Sequence, residues 1–414
     1  MSRSRYLINF VGLIIFSVVF LNLNAWALDE LRLQGKISGP GGEAVAGALI
    51  SDGHQVKISL AKGEFEIKTR PGRILAITAP SGYAVKGDWW WPVEKFKKSG
   101  QTVNLVKVHY GKEIRIAALS DPHLCSKEAP PDWEVKPGYL ETPMRTWAKV
   151  ARQLKDFRPH LSLVAGDICM DAEHKKTAHT KAQMLLACQA VGMLPQPVRC
   201  LPGNHDVRYG FEEPWGVNLS SWRNYLGPSR QVYIVENICL IMLDNMHLGR
   251  NYKDKPKNTG ACSEDTVNWL GNLVQVLPKD LHVLVLSHFP LFSPLSGVNP
   301  LRKGSLVKTP KAPGFALRNV DQKAKQVIEL LGERPILGLI NGHEHAYQTS
   351  TLFTAQGALR AIGLPSVCGF WWAGDMPFGS RKFPPGYLKI KLNLAGEKPV
   401  LDTEFVPVIY ARVK

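Results

Sequence analysis

The sequence predicts an α/β protein that carries a small all-β domain at its N-terminal end. From residue 114 onward, apolar runs of strand length alternate with helix-like stretches, a pattern typical of α/β proteins. Before residue 107 the apolar runs are shorter, alternate in part with polar residues, and are separated by glycine-containing turns. The chain has 414 residues, of which 45% are apolar and 21% charged, a composition typical of a globular protein with two or three domains.

Residues 1–27 have the pattern of a secretory signal peptide, so we expect them to lie outside the fold. Arg3 and Arg5 give a basic start, an apolar stretch covers residues 7–23, and residues 25–27 form an Ala-Trp-Ala cleavage site. An uncleaved membrane anchor is the alternative, because the uncharged stretch is about as long as a membrane span requires. We therefore expect a secreted or periplasmic protein, with an N-terminally membrane-anchored protein as the alternative.

The chain is strongly basic. Its formal net charge is +16, and +14 remains without residues 1–27, which carry two arginines and no acidic residue. Such a charge favours anionic partners, namely phosphates, envelope lipids or nucleic acid, although it can also serve solubility alone. No dedicated nucleic-acid motif accompanies the charge, and nothing indicates an obligate protein partner. We therefore expect a phosphorylated, anionic substrate, with envelope association as a further option.

The chain contains seven cysteines, which form no Cys-x-x-Cys metal pattern. In an exported protein some of them could form disulfide bonds, but an odd number leaves at least one thiol. Several lie in or beside apolar runs, so buried thiols are equally consistent with the pattern. The seven are Cys125, Cys169, Cys188, Cys200, Cys239, Cys262 and Cys368.

Residues 28–106 are predicted to form the all-β sandwich, with antiparallel strands joined by tight turns. No cluster of metal ligands or nucleophiles occurs there, which favours a packing or surface-binding module. Trp89, Trp90 and Trp91 close the segment, and we interpret them as a wedge between domains rather than a sugar-stacking platform. The expected strands cover residues 31–37, 44–51, 56–60, 64–68 and 74–78.

The α/β region contains six predicted strands and three predicted helices. The first helix covers residues 142–156. The second, over residues 263–277, begins at the N-capping Ser263, and the third, over residues 321–331, ends before Gly332. The strands cover residues 114–119, 161–165, 198–201, 238–243, 281–286 and 336–340.

Five of these six strands end in a short polar motif. Because ligand sites in α/β sheets form where the C-terminal ends of strands converge, we expect residues that are distant in sequence to meet there. The motifs are Asp121-Pro122-His123, Gly166-Asp167, Gly203-Asn204-His205-Asp206, Ser287-His288 and Gly342-His343-Glu344-His345.

The residue types in these motifs suit two divalent metal ions. Carboxylate oxygen, imidazole nitrogen and amide oxygen are ligands of Mn, Fe, Zn and Mg. One bridging carboxylate would hold two ions roughly 3.5–4 Å apart, the separation used to clamp both oxygens of a phosphoryl displacement. The glycines before Asp167, Asn204 and His343 allow sharp backbone turns. Alone, the first two motifs are more typical of turns and His288 of a buried core histidine, whereas two histidines within Gly-His-Glu-His are rarely structural. The prediction therefore depends on the ordered set.

The ordered set resembles the calcineurin-like metallophosphoesterase superfamily, whose signature is D-x-H, G-D, G-N-H-D/E, H and G-H-x-H. The flanking regions look like those of one bacterial exported subfamily, in which an N-terminal β-sandwich and a C-terminal region accompany this domain. The resemblance implies a four-layer fold of two packed mixed β-sheets flanked by helices. It also implies a catalytic domain over residues 107–350 and a C-terminal β-rich region over residues 351–414, after the sandwich at 28–106.

The resemblance also implies the role of each residue in a phosphoric ester hydrolase. A hydroxide that bridges the two ions would attack phosphorus in line, and His205 would act as the general acid. Asp206 or Asp171 could orient His205 from behind. Asp121, His123 and His345 would hold the first ion, Asn204, His288 and His343 the second, and Asp167 both.

Two departures from related patterns narrow the class. Met170 stands three residues after Asp167, where purple acid phosphatases carry a tyrosine ligand, so we do not expect an iron–tyrosinate site. The protein-phosphatase pattern G-D-x-x-D-R-G is also absent, which makes a phosphoprotein a less expected substrate.

Substrate contacts are predicted at two places. Residues 281–320 contain no acidic residue, and Arg302 and Lys303 within them are candidates to hold an anionic substrate, although a solvated loop is equally consistent. Trp371 and Trp372 could form a wall of the site, with core packing as the alternative. Two other functions compete with the hydrolase: an envelope-binding protein with a vestigial metal centre, and a nuclease or phosphodiesterase that acts on a polyanion.

Overall fold

The structure of the protein is a computed structural model. The predicted signal peptide and the four predicted substrate contacts, Arg302, Lys303, Trp371 and Trp372, lie outside the described residues. Within the described part of the chain, no helix has the length and apolar character needed to cross a membrane. The described residues are 30–96, 100–131, 141–172, 177–209, 217–250, 256–293, 321, 323–354, 357–368, 377–378 and 381–408.

The N-terminal region consists of two four-stranded sheets that enclose a core of their own. In β4 the burial alternates, with Phe65 and Ile67 in the core and the intervening glutamates exposed, as a half-buried strand requires. One sheet has the order β4-β1-β8-β6 and the other β3-β2-β5-β7. The strands are β1 (Leu31–Ser38), β2 (Leu49–Ser51), β3 (Val56–Ile58), β4 (Glu64–Thr69), β5 (Ile74–Thr78), β6 (Tyr83–Val85), β7 (Trp90–Pro92) and β8 (Gln101–Lys107).

The sandwich differs from the prediction in one strand pair. β1 and β8 are parallel, with Gly35 opposite Gln101, whereas the prediction was an antiparallel domain. The other pairs in the two sheets are antiparallel. A parallel pair needs a long connection, and here all the strands from β2 to β7 lie between the two partners.

The rest of the chain adds seventeen strands and five α-helices in the described residues. The helices are α1 (Thr142–Phe157), α2 (Thr177–Gly192), α3 (Ser220–Leu226), α4 (Glu264–Val276) and α5 (Ala324–Leu331). The strands are β9 (Glu113–Leu119), β10 (Leu161–Ala165), β11 (Val198–Leu201), β12 (Arg208–Tyr209), β13 (Val217–Asn218), β14 (Gln231–Val235), β15 (Ile238–Leu243), β16 (His247–Arg250), β17 (Pro256–Ala261), β18 (His282–Ser287), β19 (Ile336–Asn341), β20 (Gln348–Thr354), β21 (Gly357–Gly363), β22 (Pro377–Phe378), β23 (Arg381–Lys382), β24 (Gly386–Asn393) and β25 (Val400–Pro407).

Two mixed sheets pack face to face and are covered by helices on their outer faces. The first has the order β11-β10-β9-β24-β25, and the second has the order β14-β15-β18-β19-β21-β20. Residues such as Ile116 and Leu163 of the first sheet share a core with Leu240 and Leu286 of the second. Helices α1 to α3 cover the first sheet, and α4 and α5 cover the second. These four layers confirm the predicted fold class.

The three predicted helices are present, and the two predicted end residues, Ser263 and Gly332, lie where expected. The Ser263 hydroxyl accepts a hydrogen bond from the backbone N–H of Thr266 at 3.1 Å, so it caps α4. Gly332 follows α5 with a φ of 62° and a ψ of −137°, a conformation that favours glycine. Helix α2 was not predicted, because its apolar residues are spread around the helix and show no helical period.

No disulfide bond joins any two of the seven cysteines, all of which belong to the described part of the chain. Six of them are buried and Cys188 is half-buried. Of the two options that the sequence left open, the structure shows buried thiols.

The sandwich contacts β11 of the first sheet, β14 of the second sheet and helix α4, where the Trp269 indole N–H donates to the Ser51 hydroxyl at 2.9 Å. Trp89 stacks on the guanidinium of Arg199, whose Cζ lies 3.7 Å from the ring centroid, and Tyr233 flanks the same guanidinium at 5.0 Å. Trp90 packs on Gly227, where a Cβ atom would collide with the indole ring. Trp91 instead packs on a phenylalanine inside the sandwich. The wedge between domains is thus confirmed for two of the three tryptophans.

Replacing Trp89 by alanine should weaken this interface. The change removes a cation–π contact with a buried arginine and leaves its guanidinium without an aromatic cover, so we expect the free energy of unfolding to fall by about 2 kcal/mol. Denaturant titration measures the change. Phe353→Ala, at an aromatic residue that is 81% exposed, is the control and should have almost no effect. Equal unfolding free energies for Trp89→Ala and the native chain would contradict the assigned interface.

Candidate metal centre

The predicted ligands lie at one edge of the two sheets, just after the strands that carry them. In the first sheet, Leu119 pairs with Val164 and Ala165 pairs with Leu201, so β9, β10 and β11 end at nearly the same level. In the second sheet, Ser287 pairs with Asn341 at the ends of β18 and β19. Parallel strands with aligned ends place the residues that follow them close together.

Four of the predicted ligands form one cluster. Asp121, His123, Asp167 and His345 are all buried, and one ligand atom from each lies within 4.8 Å of the others. The Nε2 atom of His123 lies 3.1 Å from Nε2 of His345 and 3.7 Å from Oδ2 of Asp167. Nε2 of His345 lies 3.3 Å from Oδ1 of Asp121.

A second group adjoins the first and shares Asp167 with it. Ligand atoms of Asp167, His288 and His343 also lie within 4.8 Å of one another. Nε2 of His288 lies 3.4 Å from Oδ2 of Asp167 and 3.2 Å from the amide oxygen of Asn204. The structure therefore brings together all seven predicted metal ligands, and Asp167 belongs to both groups.

The donor atoms fit a pair of divalent cations. The Nδ1–H of His288 donates to the carbonyl of Ala165 at 2.7 Å, which turns the lone pair of Nε2 toward Asp167 and Asn204. The Nε2 atoms of His123 and His345 lie 3.1 Å apart. Two nitrogen lone pairs at this distance repel each other unless a proton or a cation lies between them. A set of imidazole, carboxylate and amide donors is typical of Mn, Fe or Zn sites.

The electrostatics of the site also suit cations. Burial raises the pKa of Asp167, but the charges of His288 and His205 outweigh burial and hold it well below its usual value. Burial lowers the pKa of His288, but the carboxylates of Asp167 and Asp121 outweigh burial and raise it to about 9. Burial, reinforced by His288, lowers the pKa of His343 to about 3. The carboxylates thus stay ionised and attract positive charge, and metal binding would displace the proton of His288.

The ligand loops adopt a backbone conformation that costs energy. Seven non-glycine residues in the described chain have a positive φ, and five of them are proposed ligands. Such a conformation costs about 1–3 kcal/mol per residue and persists where surrounding contacts impose it, often at functional sites. The backbone N–H groups of Asp121 and His123 donate to the carbonyls of Gly166 and Asp167 and supply such contacts. The five are Asp121, His123, Asp167, His343 and His345.

Two glycines permit the close approach of these loops. A Cβ atom at Gly203 would collide with the backbone nitrogen and the carboxylate of Asp167. A Cβ atom at Gly342 would collide with the hydroxyl of Ser120 and would lie 2.8 Å from the carbonyl of Ala165. The absence of a side chain at these positions therefore matters for packing as well as for turning.

His205 lies beside the first group of ligands and is half-buried. Its ring centroid is 4.8 Å from that of His123, with the two planes nearly perpendicular. Its Nδ1–H donates to the carbonyl of Met170 at 2.6 Å, and its backbone N–H donates to Oδ1 of Asp167 at 2.8 Å. The ring orientation is thus fixed relative to the carboxylate that both groups share.

The two carboxylates predicted to orient His205 have other described partners. Asp206 accepts hydrogen bonds from the backbone N–H groups of Gly203, Ile168 and Cys169, at 2.8, 3.1 and 2.8 Å. Asp171 contacts Nε2 of His179 at 2.8 Å. The Met170 carbonyl is one orienting contact on the His205 ring, and Asp206 joins the Asp167 loop to the Asn204 loop.

Three further residues support the ligands, although the sequence analysis assigned them no role in the site. The Ser366 hydroxyl donates to the carbonyl of Asp121 at 2.7 Å, and the Phe289 ring packs on His343 with centroids 4.2 Å apart. Glu344 accepts hydrogen bonds from Ser293 and Gln348 and so stabilises the loop between the two histidine ligands. Two of these residues, Phe289 and Glu344, could have been noticed in the sequence, because each is next to a predicted ligand.

One comparison, with known protein families, identifies the class of this protein. Residues 114–347 match the family described as calcineurin-like phosphoesterase. This match covers more than half of the chain, so the protein belongs to that family and is a hydrolytic phosphoesterase. No curated protein matches the chain significantly.

Several solved structures are similar to this chain at low identity. A dimetal phosphatase from Danio rerio is 15% identical, covers 72% of this chain and 98% of its own, and has a TM-score of 0.46. A purple acid phosphatase from yellow lupin is 12% identical, covers 92% and 69%, and also has a TM-score of 0.46. A phosphopantetheinyl hydrolase from Mycobacterium tuberculosis is 14% identical, covers 67% and 98%, and has a TM-score of 0.36.

Replacing Asp206 by asparagine should destabilise the centre. The amide NH2 group would face a backbone N–H in place of an accepting oxygen, so at least one buried hydrogen bond is lost. We expect the free energy of unfolding to fall by about 2 kcal/mol and metal affinity to fall with it. Denaturant titration and equilibrium dialysis measure the two effects, with the exposed Asp156→Asn as control. Native-like values of both quantities for Asp206→Asn would show that this carboxylate does not hold the two loops together.

Proposed function

We propose that this phosphoesterase is an exported enzyme that hydrolyses a phosphorylated, anionic substrate with the help of two divalent metal ions. The observation that carries the proposal is the pair of adjacent ligand groups that share Asp167. The predicted signal pattern at residues 1–27 supports export, and the net charge of +16 supports an anionic substrate.

The residues that would hold the ions follow from the two groups. Asp121, His123 and His345 would hold the first ion with Asp167, whereas Asn204, His288 and His343 would hold the second with the same carboxylate. Ions bound there supply Lewis acidity, which activates a water molecule and neutralises charge on the phosphoryl oxygens. These donors accept several metals, among them Mn, Fe, Zn and Mg.

The chain itself contributes orientation and a low dielectric. Asp121, His123, Asp167, Asn204, His288 and His345 are all buried, so charges in the site interact more strongly than they would in water. The backbone N–H of His343 donates to both carboxylate oxygens of Asp121, at 3.0 and 3.2 Å, and thereby fixes the direction of this ligand. The ligands are thus preorganised by the protein before any substrate arrives.

His205 is the proposed general acid. Its Nδ1–H is committed to the Met170 carbonyl, so Nε2 is the ring atom that gains or loses a proton. A proton on Nε2 can be transferred to the leaving oxygen as the phosphorus–oxygen bond breaks.

The proposed substrate contacts are Arg302, Lys303, Trp371 and Trp372, which lie outside the described residues.

The shared carboxylate provides the sharpest test of the metal assignment. We expect turnover of p-nitrophenyl phosphate or bis-p-nitrophenyl phosphate to require added Mn, Zn or Mg and to stop with a chelator. Asp167→Asn should lower kcat by more than roughly a hundredfold and reduce bound metal from two ions per chain, because it leaves one neutral amide oxygen where a charged carboxylate offered two oxygens. The exposed Asp156→Asn is the matched control. Turnover that survives both chelation and Asp167→Asn would contradict the assigned centre.

The role of His205 is tested by comparing leaving groups. His205→Asn should lower kcat for phenyl phosphate by roughly a hundredfold or more but affect p-nitrophenyl phosphate much less, because the weakly basic nitrophenolate leaves without a proton. His282→Asn, at the opposite end of β18, is the control. If both substrates lose the same factor, His205 does not act as the proton donor.

A further inference from the structure

A surface groove of about 520 Å³ lies between the C-terminal ends of α1 and α2. The two helices are held together by the Trp147 indole N–H, which donates to the carbonyl of Ala190 at 2.8 Å. The floor of the groove includes Ala151 and Leu194, both buried. The groove is therefore a fixed feature of the helical layer on the first sheet.

The groove lies at the edge of the sheet opposite the metal centre. Helix α1 ends just before β10 begins, and α2 ends just before β11 begins. The ligands Asp167 and Asn204 follow the other ends of these two strands. The five residues of β10 alone separate the two edges by roughly 17 Å. Changes in the groove can therefore be made without touching the residues assigned to catalysis.

The rim of the groove is basic. Arg152, Lys155 and Arg158 line it and are exposed. Among the residues that the structure describes, no carboxylate forms an ion pair with any of the three. Arg145, which pairs with Glu141, and Lys149 lie at helical spacing from Arg152 toward the start of α1. The positive charge that no described carboxylate pairs with is thus that of Arg152, Lys155 and Arg158.

Two exposed apolar residues accompany this basic rim. Leu185 on α2 and Met193, the residue after the end of α2, are 46% and 36% exposed, and they are two of the six large exposed apolar residues in the described chain. Met193 lines the groove, and Leu185 lies about two helical turns before it. Gly192, which also lines the groove, has open space where a side chain would stand. Exposed apolar residues next to unpaired basic ones are typical of surfaces that lie on membranes.

We propose that this groove face docks on the surface of an anionic phospholipid bilayer. The three basic residues would contact headgroup phosphates, and Leu185 and Met193 would enter the interfacial layer. A single-stranded nucleic acid would require aromatic rings for stacking, and none lines the groove. Docked in this way, the protein holds its metal centre away from the bilayer, where it meets soluble phosphorylated substrates rather than the lipids beneath it.

Vesicle binding of the full chain tests the proposal. We compare vesicles of phosphatidylcholine alone with vesicles that contain phosphatidylglycerol, and we expect binding to the anionic vesicles to be at least about tenfold stronger at low salt. The combined change Arg152→Gln, Lys155→Gln and Arg158→Gln should abolish this difference. Leu185→Ser with Met193→Ser should weaken anionic binding while the charges stay intact.

A matched control separates this groove from the overall charge of the chain. Lys36→Gln, Lys57→Gln and Lys62→Gln remove three charges from exposed residues of the sandwich and should leave vesicle binding unchanged. Metal-dependent turnover and thermal unfolding should stay native-like in every variant. The proposal is overturned if both vesicle types bind equally, or if the control loses as much vesicle binding as the groove variant. It is also overturned if the groove change weakens the binding of single-stranded DNA but not the binding of anionic vesicles.

Discussion

The rest of the site depends on the contacts that the Asp167 carboxylate makes. Its Oδ2 atom lies 3.7 Å from Nε2 of His123 and 3.4 Å from Nε2 of His288, and its Oδ1 atom accepts the backbone N–H of His205. One side chain therefore fixes both ligand groups and the proposed acid. This position requires a left-handed backbone at Asp167, with φ at 52°, and no side chain at Gly203.

The sheets supply the conditions under which that carboxylate can act. Aligned parallel strands deliver five polar loops to one edge, and the second sheet contributes His288, His343 and His345 across a shared apolar core. Backbone hydrogen bonds between loops, such as that from Gly342 to the His288 carbonyl at 3.1 Å, then hold conformations that a free loop would not adopt. Fold stability and ligand geometry are coupled for this reason.

The elements that could be predicted are those that a local pattern of residues marks in the sequence. Strands β10, β11 and β15 begin and end at the predicted residues, because short, mainly apolar runs bounded by polar motifs mark buried strands. Helix α2 has no such pattern, since its buried face includes the polar Thr180 and Gln183 while the apolar Leu185 is exposed. The parallel pairing of β1 with β8 and the Met170 carbonyl on His205 depend on long-range backbone contacts, which leave no pattern in side chains.

The central claim is that Asp167 holds two metal ions at once, and anomalous diffraction from crystals grown with Mn²⁺ tests it most directly. The account predicts two anomalous peaks per chain, roughly 3.5–4 Å apart, one on each side of the Asp167 carboxylate. The first peak should lie against Asp121, His123 and His345, and the second against Asn204, His288 and His343. A single peak, or two peaks that do not share Asp167, would contradict the account.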